Sequence, residues 1–279
     1  MTKKLLLFVM SIVLVASSCA FSGELIRNDV KVGILSKLNM TPEEFKSLVS
    51  DAREAGKAKM FSLSGSKGEV TFAFYNSLVT LQMALNKGEI DEVALPESVA
   101  EYVLNTNDDY EIASISRIEP TFLSFGFRKS DDPEMRDKFN DALLSMKADG
   151  TLAIIVSKFI TEPGVDTPEP INFIKYKNAE TVKVAVTGDL PPIDYVSPEG
   201  KAEGFNIAVL AEISRRLHIN VELVNIDAGA RAISLTSGRS DIVFWFEAMK
   251  GNIQADIPEG VVLSESYFSW NEILHIKKK

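Results

Sequence analysis

The stretch VKVAVTGDLPPIDYVSPEGKAEGFNIAVLAEISRRL, residues 182–217, decides the fold of this protein. It opens with an apolar, β-branched run that is typical of a buried strand, and Pro191 and Pro192 end that run. After Gly204 the apolar residues recur at the spacing of one helical face. These residues are Ile207, Leu210, Ile213 and Leu217. The stretch therefore predicts a strand, a turn and an amphipathic helix, which together begin an α/β unit.

The residues that follow continue this alternation. We predict a strand over residues 221–226, a short helix over 231–236 that ends at Gly238, and a strand over 242–246. Strands and helices in this order form a parallel sheet with right-handed crossovers. A further strand is expected at residues 273–276.

The first half of the chain has the same character. Strands are predicted at residues 30–35, 70–75, 90–95 and 122–127, and helices at residues 78–85 and 133–150. Between the halves, residues 162–170 contain three prolines and a glycine, which predict an extended linker. We therefore expect two α/β lobes, with residues 24–161 before a linker at 162–181 and residues 182–279 after it.

Composition excludes several classes of function. The chain has 279 residues, enough for about two domains. It has 39 Asp and Glu against 30 Lys and Arg, and the net charge of −9 argues against nucleic acid or an anionic membrane surface as a partner. One cysteine and two histidines cannot build a Cys-rich zinc site or an iron–sulfur cluster. We expect no metal, no cofactor and no catalytic residue.

The amino terminus carries the features of an export signal. Two lysines precede an apolar run over residues 5–16, which is too short to span a bilayer but matches the core of a signal peptide. Residues 1–23 are therefore predicted to be a signal peptide. The quartet ASSC, residues 16–19, resembles a bacterial lipobox, which implies a lipid on Cys19; ordinary cleavage beyond Cys19 is the alternative. Either outcome predicts a protein of the periplasm or cell surface.

The segments together resemble a bacterial extracellular solute-binding protein of the amino-acid-binding type. Residues 182–217 are similar to the opening of its first lobe, with the Pro-Pro turn and the Gly-Phe-Asn start of a helix. SGRSD at 237–241 and LSESYFSWNEILHI at 263–276 are similar to later parts of that lobe. Residues 75–91 and 125–152 resemble parts of the second lobe. The resemblance implies a two-lobed, periplasmic-binding-protein-like α/β fold.

The two lobes stand in the opposite order to that of the family. The resemblance therefore implies a circular permutation, in which the linker joins the family's usual carboxyl terminus to its usual amino terminus. Proteins of this family close two lobes on a small solute and deliver it to the membrane permease of an ABC-type transporter. The resemblance implies an exported, monomeric carrier that is not an enzyme and binds a small polar or zwitterionic, amino-acid-like solute.

The residues that bind amino acids in this family are partly missing here. The Arg that follows the third strand of lobe one has no counterpart in residues 247–254, and the Asp of lobe two is absent near Glu97, which is the adjacent carboxylate. Arg231, at a helix start beyond a strand end, is the best substitute as an anion clamp, or else a solvated surface residue. Asp189 and Asp194 flank the Pro-Pro turn and either accept from an ammonium group or form the turn.

Other residues complete the predicted ligand site. Tyr195 either stacks on the ligand or packs inside the lobe. Alternation along their strand is expected to turn Trp245 and Glu247 toward the cleft. Asn39 and Thr41 precede a helix whose free N–H groups favour an anion, although helix capping explains Thr41 equally well.

Two other functions stay open on the same scaffold. A dehydratase-like enzyme would need a general acid and base in the cleft, and Glu247 with Asp189 is the pair that the sequence offers. A ligand-sensing or adhesive surface lipoprotein with a degenerate pocket is consistent with the missing Arg and Asp.

Overall fold

A computed structural model describes residues 29–35, 70–161, 171–197, 199–248 and 257–279. The strands are β1 (Val30–Leu35), β2 (Val70–Tyr75), β3 (Glu92–Pro96), β4 (Tyr110–Arg128), β5 (Thr181–Val186), β6 (Asp189–Leu190), β7 (Asp194–Val196), β8 (Ala202–Glu203), β9 (Asn220–Asn225), β10 (Ile242–Ala248), β11 (Val261–Leu263) and β12 (Phe268–Lys278). The helices are α1 (Leu78–Lys87), α2 (Glu97–Thr106), α3 (Glu134–Ala148), α4 (Thr151–Val156), α5 (Phe205–Leu217) and α6 (Arg231–Thr236).

One sheet contains nine strands in the order β2-β1-β3-β12-β4-β10-β5-β9, with β11 paired to β4. Strands β1, β2 and β3 are mutually parallel and form the amino-terminal set. Strands β5, β9 and β10 are also parallel and form the carboxyl-terminal set. Strands β4 and β12 run antiparallel between the two sets. The predicted α/β fold with two mainly parallel strand groups is confirmed.

The crossing strands are longer than the sequence pattern predicts. Strand β4 has 19 residues, whereas only residues 122–127 were predicted. Its first half alternates in polarity and carries Ser114 and Ser116, so it lacks the continuous apolar run that marks the second half. Strand β12 spans 11 residues and pairs with β4 on both sides of the junction between the sets. Helix α2 was also not predicted.

Helix α5 forms where the quoted stretch predicts it. Its face toward the sheet buries Ile207, Leu210 and Ile213. Gly204 precedes the helix with φ of 109°, and a Cβ at this position would lie 2.7 Å from the carbonyl oxygen of Pro192. Only glycine accepts both the positive φ and this close backbone approach. The glycine at the start of the motif is therefore required by the backbone conformation and by this close contact.

Residues from both sides of the linker pack into one unit. Helix α5 contacts α3 and α4, which precede the linker in sequence. Arg216 of α5 donates to the Asp149 carboxylate at 2.7 Å and to the Ser145 hydroxyl at 2.6 Å. The carboxyl-terminal set is thus covered on one face by helices from the first half of the chain.

His275 on β12 predicts a dependence of stability on pH. Its side chain is buried between Glu92 and Ser116, with Nε2 3.0 Å from the Ser116 hydroxyl and Nδ1 3.7 Å from a Glu92 oxygen. Burial lowers the pKa of His275 to about 4. Because the unfolded chain binds this proton more readily, stability is complete above pH 6.5 and falls as pH decreases toward 4. We expect a loss of about 2 kcal/mol between pH 7 and pH 5.

Urea unfolding at the two pH values measures this loss. Carboxyl groups also titrate in this range, so the His275→Gln variant is the control that isolates the imidazole. The variant is expected to lose less stability on acidification than the natural protein. Equal losses in the two proteins would contradict the assignment.

Candidate functional site

The two strand sets point their carboxyl ends at the same region. Strand β10 ends opposite Thr121 of β4, and Thr121 also pairs with Trp270 of β12. Strand β3 ends at Pro96 opposite Ile273, a short distance farther along β12. The loops after β3, β5, β9 and β10 therefore surround one crevice at the junction of the sets. Ligands in open α/β sheets bind beyond the carboxyl ends of strands, so this crevice is the candidate site.

Asp194 lies at the base of the crevice and holds the turn after β5. Its carboxylate accepts from the Thr187 N–H at 3.0 Å, the Thr187 hydroxyl at 3.1 Å and the Gly188 N–H at 3.3 Å. The side chain is 3% exposed. Burial raises the pKa of Asp194, while these donors and Arg231 act in the opposite direction. These contacts agree with the alternative in which Asp194 forms the turn.

Arg231 is buried, and the solvated alternative is wrong. It is the first residue of α6 and is 4% exposed. Its guanidinium lies over the Phe246 ring, 5.2 Å from the centroid, which is a cation–π contact. Burial lowers the pKa of Arg231 to about 10, and the charge of Asp194 opposes this. The arginine therefore stays charged at neutral pH in a largely dehydrated position.

Aromatic rings line the junction beside Arg231. Phe246 meets Trp270 with ring centroids 5.8 Å apart, and Trp270 meets Phe268 at 6.2 Å. Phe268 in turn contacts Phe205 at the start of α5. Sequence reasoning did not select these rings as site residues, although Phe268 and Trp270 lie in the FSWN segment that carries the family resemblance.

Trp245 does not face the cleft, and this prediction is wrong. Its side chain is 2% exposed and packs in an aliphatic cluster with Ala185, Ile226 and Leu235. Alternation along β10 instead turns Phe246 toward the main core, where Arg231 covers it. Alternation along a strand sets which residues share a face but not which of the two faces is buried. The backbone of Glu247 lies in β10, and its side chain is outside the described part of the structure.

Tyr195 stands on a small hairpin at the mouth of the crevice. Strands β6, β7 and β8 form a three-stranded sheet in which Tyr195 pairs with Asp189 on one side and Glu203 on the other. The Tyr195 hydroxyl donates to a Glu203 oxygen at 3.3 Å. Burial first, then Glu203 and Tyr102, raise the pKa of Tyr195 to about 12. Asp189 is half-buried; Glu203 was missed because a lone Glu in a turn-rich stretch carries no distinct pattern.

Glu97 begins α2 on the opposite wall. It is half-buried, and the adjacent Ser98 is 5% exposed. Burial raises the pKa of Glu101, one turn farther on, and Glu97 adds to this effect. Asn39, Thr41 and Cys19 lie outside the described residues. The structure thus places Asp189, Asp194 and Tyr195 on the hairpin after β5, Arg231 beyond β9 and Glu97 beyond β3.

A separate cavity of about 640 Å³ opens at the other end of the carboxyl-terminal set, near Thr181. Several of its charged lining residues pair with one another. Arg128 contacts Asp131 at 2.9 Å, and Lys138 contacts Glu134 at 2.6 Å. Because these charges are already matched and the cavity lies at the amino ends of the strands, it is a weaker ligand site than the crevice.

Residues 182–250 match the model of bacterial extracellular solute-binding proteins, family 3. The matched segment contains Asp194, Tyr195, Arg231 and Phe246, which build one wall of the crevice. No curated protein sequence matches this chain.

Several solved structures resemble the chain at low identity. The ligand-binding component of an ABC-type import system from Staphylococcus aureus, solved with zinc bound, is 10% identical with a TM-score of 0.45, over 90% of this chain and 66% of that one. HinK, a LysR family transcriptional regulator from Pseudomonas aeruginosa, is 9% identical with a TM-score of 0.44, over 98% and 70%. A methionine-binding lipoprotein described as putative, from Bacillus subtilis, is 9% identical with a TM-score of 0.39, over 91% and 84%.

None of the helices in the described part of the chain combines the length and apolar character needed to cross a bilayer. Those same residues contain no group of three or more His, Cys, Asp or Glu side chains arranged to hold a metal ion.

Proposed function

We propose that this protein is an exported solute-binding protein that closes two lobes on a small polar or zwitterionic solute. The observation that carries the proposal is the crevice where the carboxyl ends of both strand sets meet, with Arg231 and Asp194 buried in its wall. The family match over residues 182–250 supports the same interpretation, since it covers that wall.

Within this proposal Arg231 is the anion clamp. The Phe246 ring holds the guanidinium from one side, so little side-chain entropy is lost when an anion binds. Asp189 is the better candidate to accept from an ammonium group, because the Asp194 oxygens already accept hydrogen bonds from the backbone N–H groups of the turn. Glu97 approaches from the other lobe.

The proposal includes the path of the chain and its cellular role. The first half supplies the amino-terminal set, one crossing strand and helices α3 and α4, and residues 182–279 supply the rest. This arrangement is what a circular permutation joined through residues 162–181 would produce. Export through the signal at residues 1–23, a lipid on Cys19 and delivery of the solute to an ABC-type permease complete the role.

Ligand-induced stabilisation tests the proposal. A solute that binds only the native state at one hundred times its Kd adds about 2.7 kcal/mol to the free energy of unfolding and raises Tm. We expect at least one solute in a panel of amino acids, carboxylates and amines to raise Tm. Replacement of Arg231 by Met should abolish the effect of any ligand that carries a carboxylate.

The Arg215→Met variant is the matched control, since Arg215 is exposed and lies in the last turn of α5, at the end of the helix away from the crevice. Failure of every solute to raise Tm would overturn the proposed function. Unchanged affinity of an anionic ligand for Arg231→Met would overturn the role of Arg231 alone.

The second candidate is a sensing or adhesive surface protein with a closed pocket. It is favoured by the burial of Arg231 and Asp194, which leaves both polar groups covered by the protein itself. The same panel separates the two candidates, because a closed pocket predicts no ligand-dependent rise in Tm.

A further inference from the structure

The first half of β4 forms an open edge of the large sheet. Residues between 110 and 123 of β4 pair with β12 on one side, whereas on the other side β10 pairs only with residues 121–127. No strand in the described part of the chain pairs with the outer edge of residues 110–120. The backbone N–H and C=O groups along that edge are therefore available to a further strand.

Two exposed isoleucines lie on one face of this edge. Ile115 pairs with Leu274 of β12 and Ile112 pairs with Ile276, and a register shift lies between these two pairs. Leu274 and Ile276 are two residues apart and both belong to the main core, so Ile112 and Ile115 project on that same face. Ile112 is 48% exposed and Ile115 is 55% exposed. The core face thus continues to the open edge and ends there in partly uncovered apolar side chains.

The charged residues of the edge have opposite signs at its two ends. Glu111 lies near the start and contacts Lys277 of β12 at 3.1 Å, and Arg117 lies near the end and contacts Glu272 at 2.9 Å. Charged side chains on an edge strand keep other strands away. Because both charges are matched by a residue of β12, their repulsion of a second strand is reduced.

The pattern of the edge is complementary to itself. In an antiparallel pairing about a two-fold axis perpendicular to the sheet, between residues 113 and 114, Ile112 of each copy lies opposite Ile115 of the other and on the same face. The four isoleucines then form one apolar cluster beside the axis. Arg117 of each copy comes one residue from Glu111 of the other, whereas an in-register parallel pairing would set each charge against its own kind.

We propose that two copies of this protein form a dimer in which the first halves of their β4 strands pair antiparallel and join the two large sheets. A second copy fits the open edge because it supplies both the matching apolar face and the opposite order of charges. Pairing of one patch with itself about a two-fold axis is also the commonest association between identical chains. The dimer goes beyond solute binding and differs from the monomer that the family resemblance implies.

Sedimentation velocity of the purified protein over a series of concentrations measures the association. We expect a monomer–dimer equilibrium for the natural protein. Ile115→Lys places charges in the apolar cluster and should weaken the dimer about tenfold or more. Ile154→Lys on α4 is the matched control, because Ile154 is 68% exposed and lies outside the edge. This control should dimerise as the natural protein does.

Introduced cysteines test the register of the pairing. The Ile112→Cys and Ile115→Cys variants are prepared separately, each in a Cys19→Ser background, so that every chain carries a single thiol. In the proposed register the two thiols face each other only in a mixed dimer, and a disulfide needs this proximity. We expect a disulfide-linked dimer to form faster in the equimolar mixture than in either variant alone.

Three results would overturn the dimer. A natural protein that stays monomeric at every concentration would leave the open edge to a different strand-forming partner. Equal association of the Ile115→Lys and Ile154→Lys variants would assign dimerisation to another surface. Equal rates of disulfide formation in the mixture and in the single variants would contradict the antiparallel register, and this measurement decides the matter if Ile115→Lys fails to fold.

Discussion

Replacement of Trp245 by alanine is expected to lower the free energy of unfolding by about 3–5 kcal/mol, because it leaves a large cavity in a packed cluster. The indole is 2% exposed and contacts residues of β5, β10 and α6. Few of these aliphatic neighbours can move to fill the space, since they belong to a sheet and a short helix fixed by it. Urea unfolding monitored by circular dichroism measures the loss.

The control for this variant is Ile233→Ala on the outer face of α6. Ile233 is 67% exposed, and its replacement should change stability by no more than about 0.5 kcal/mol. A loss of stability below about 1 kcal/mol for Trp245→Ala, combined with loss of ligand-dependent stabilisation, would contradict the burial of Trp245 and indicate that it lines the crevice.

Replacement of Asp194 by alanine is the second change with a large expected effect, about 3–5 kcal/mol of lost stability. The carboxylate accepts three hydrogen bonds from Thr187 and Gly188, and these donors would lose their acceptor in a site closed to water. Buried Arg231 would also lose the attraction of its counter-charge. Urea unfolding at neutral pH measures the change.

Two further variants serve as a control and as a test of the coupling between Asp194 and Arg231. Asp227→Ala, at an exposed position before α6, should change stability by no more than about 0.5 kcal/mol. If Asp194 and Arg231 are coupled, the double variant Asp194→Ala/Arg231→Met loses less than the sum of the single losses. Exact additivity would place the importance of Asp194 in the turn alone, and a single-variant loss below about 1 kcal/mol would contradict the prediction altogether.

The elements that were predicted correctly are those whose pattern is local. Helix α5 has a complete apolar face, and helix α6 ends at Thr236 with Ser237 as its cap, just before Gly238, as the glycine indicates. Strand β4 is an element that local sequence patterns do not predict in full. Its first half contains many polar residues and forms a strand because β12 pairs with it. Neither segment alone carries a sequence pattern that predicts the pairing of residues near 115 with residues near 274.

The candidate site shows the same division. Asp194 was chosen because it flanks the Pro-Pro turn and Arg231 because it starts a helix beyond a strand end, and both are buried. Trp245 was assigned to the wrong face because alternation gives the period of a strand but not its phase. Glu203 was not chosen at all, since its contact with Tyr195 forms only when β7 and β8 pair.

By itself the sequence determined the α/β class, the positions of the main strands and helices, and the residue types near the strand ends. Periodicity, proline and glycine act over a few residues, so these features can be read locally. The tertiary structure decided the burial of Arg231 over Phe246, the face of β10 that enters the core and the meeting of two strand sets at one crevice. Each of these depends on contacts between distant segments, whose free energy comes from burial and pairing that no single segment encodes.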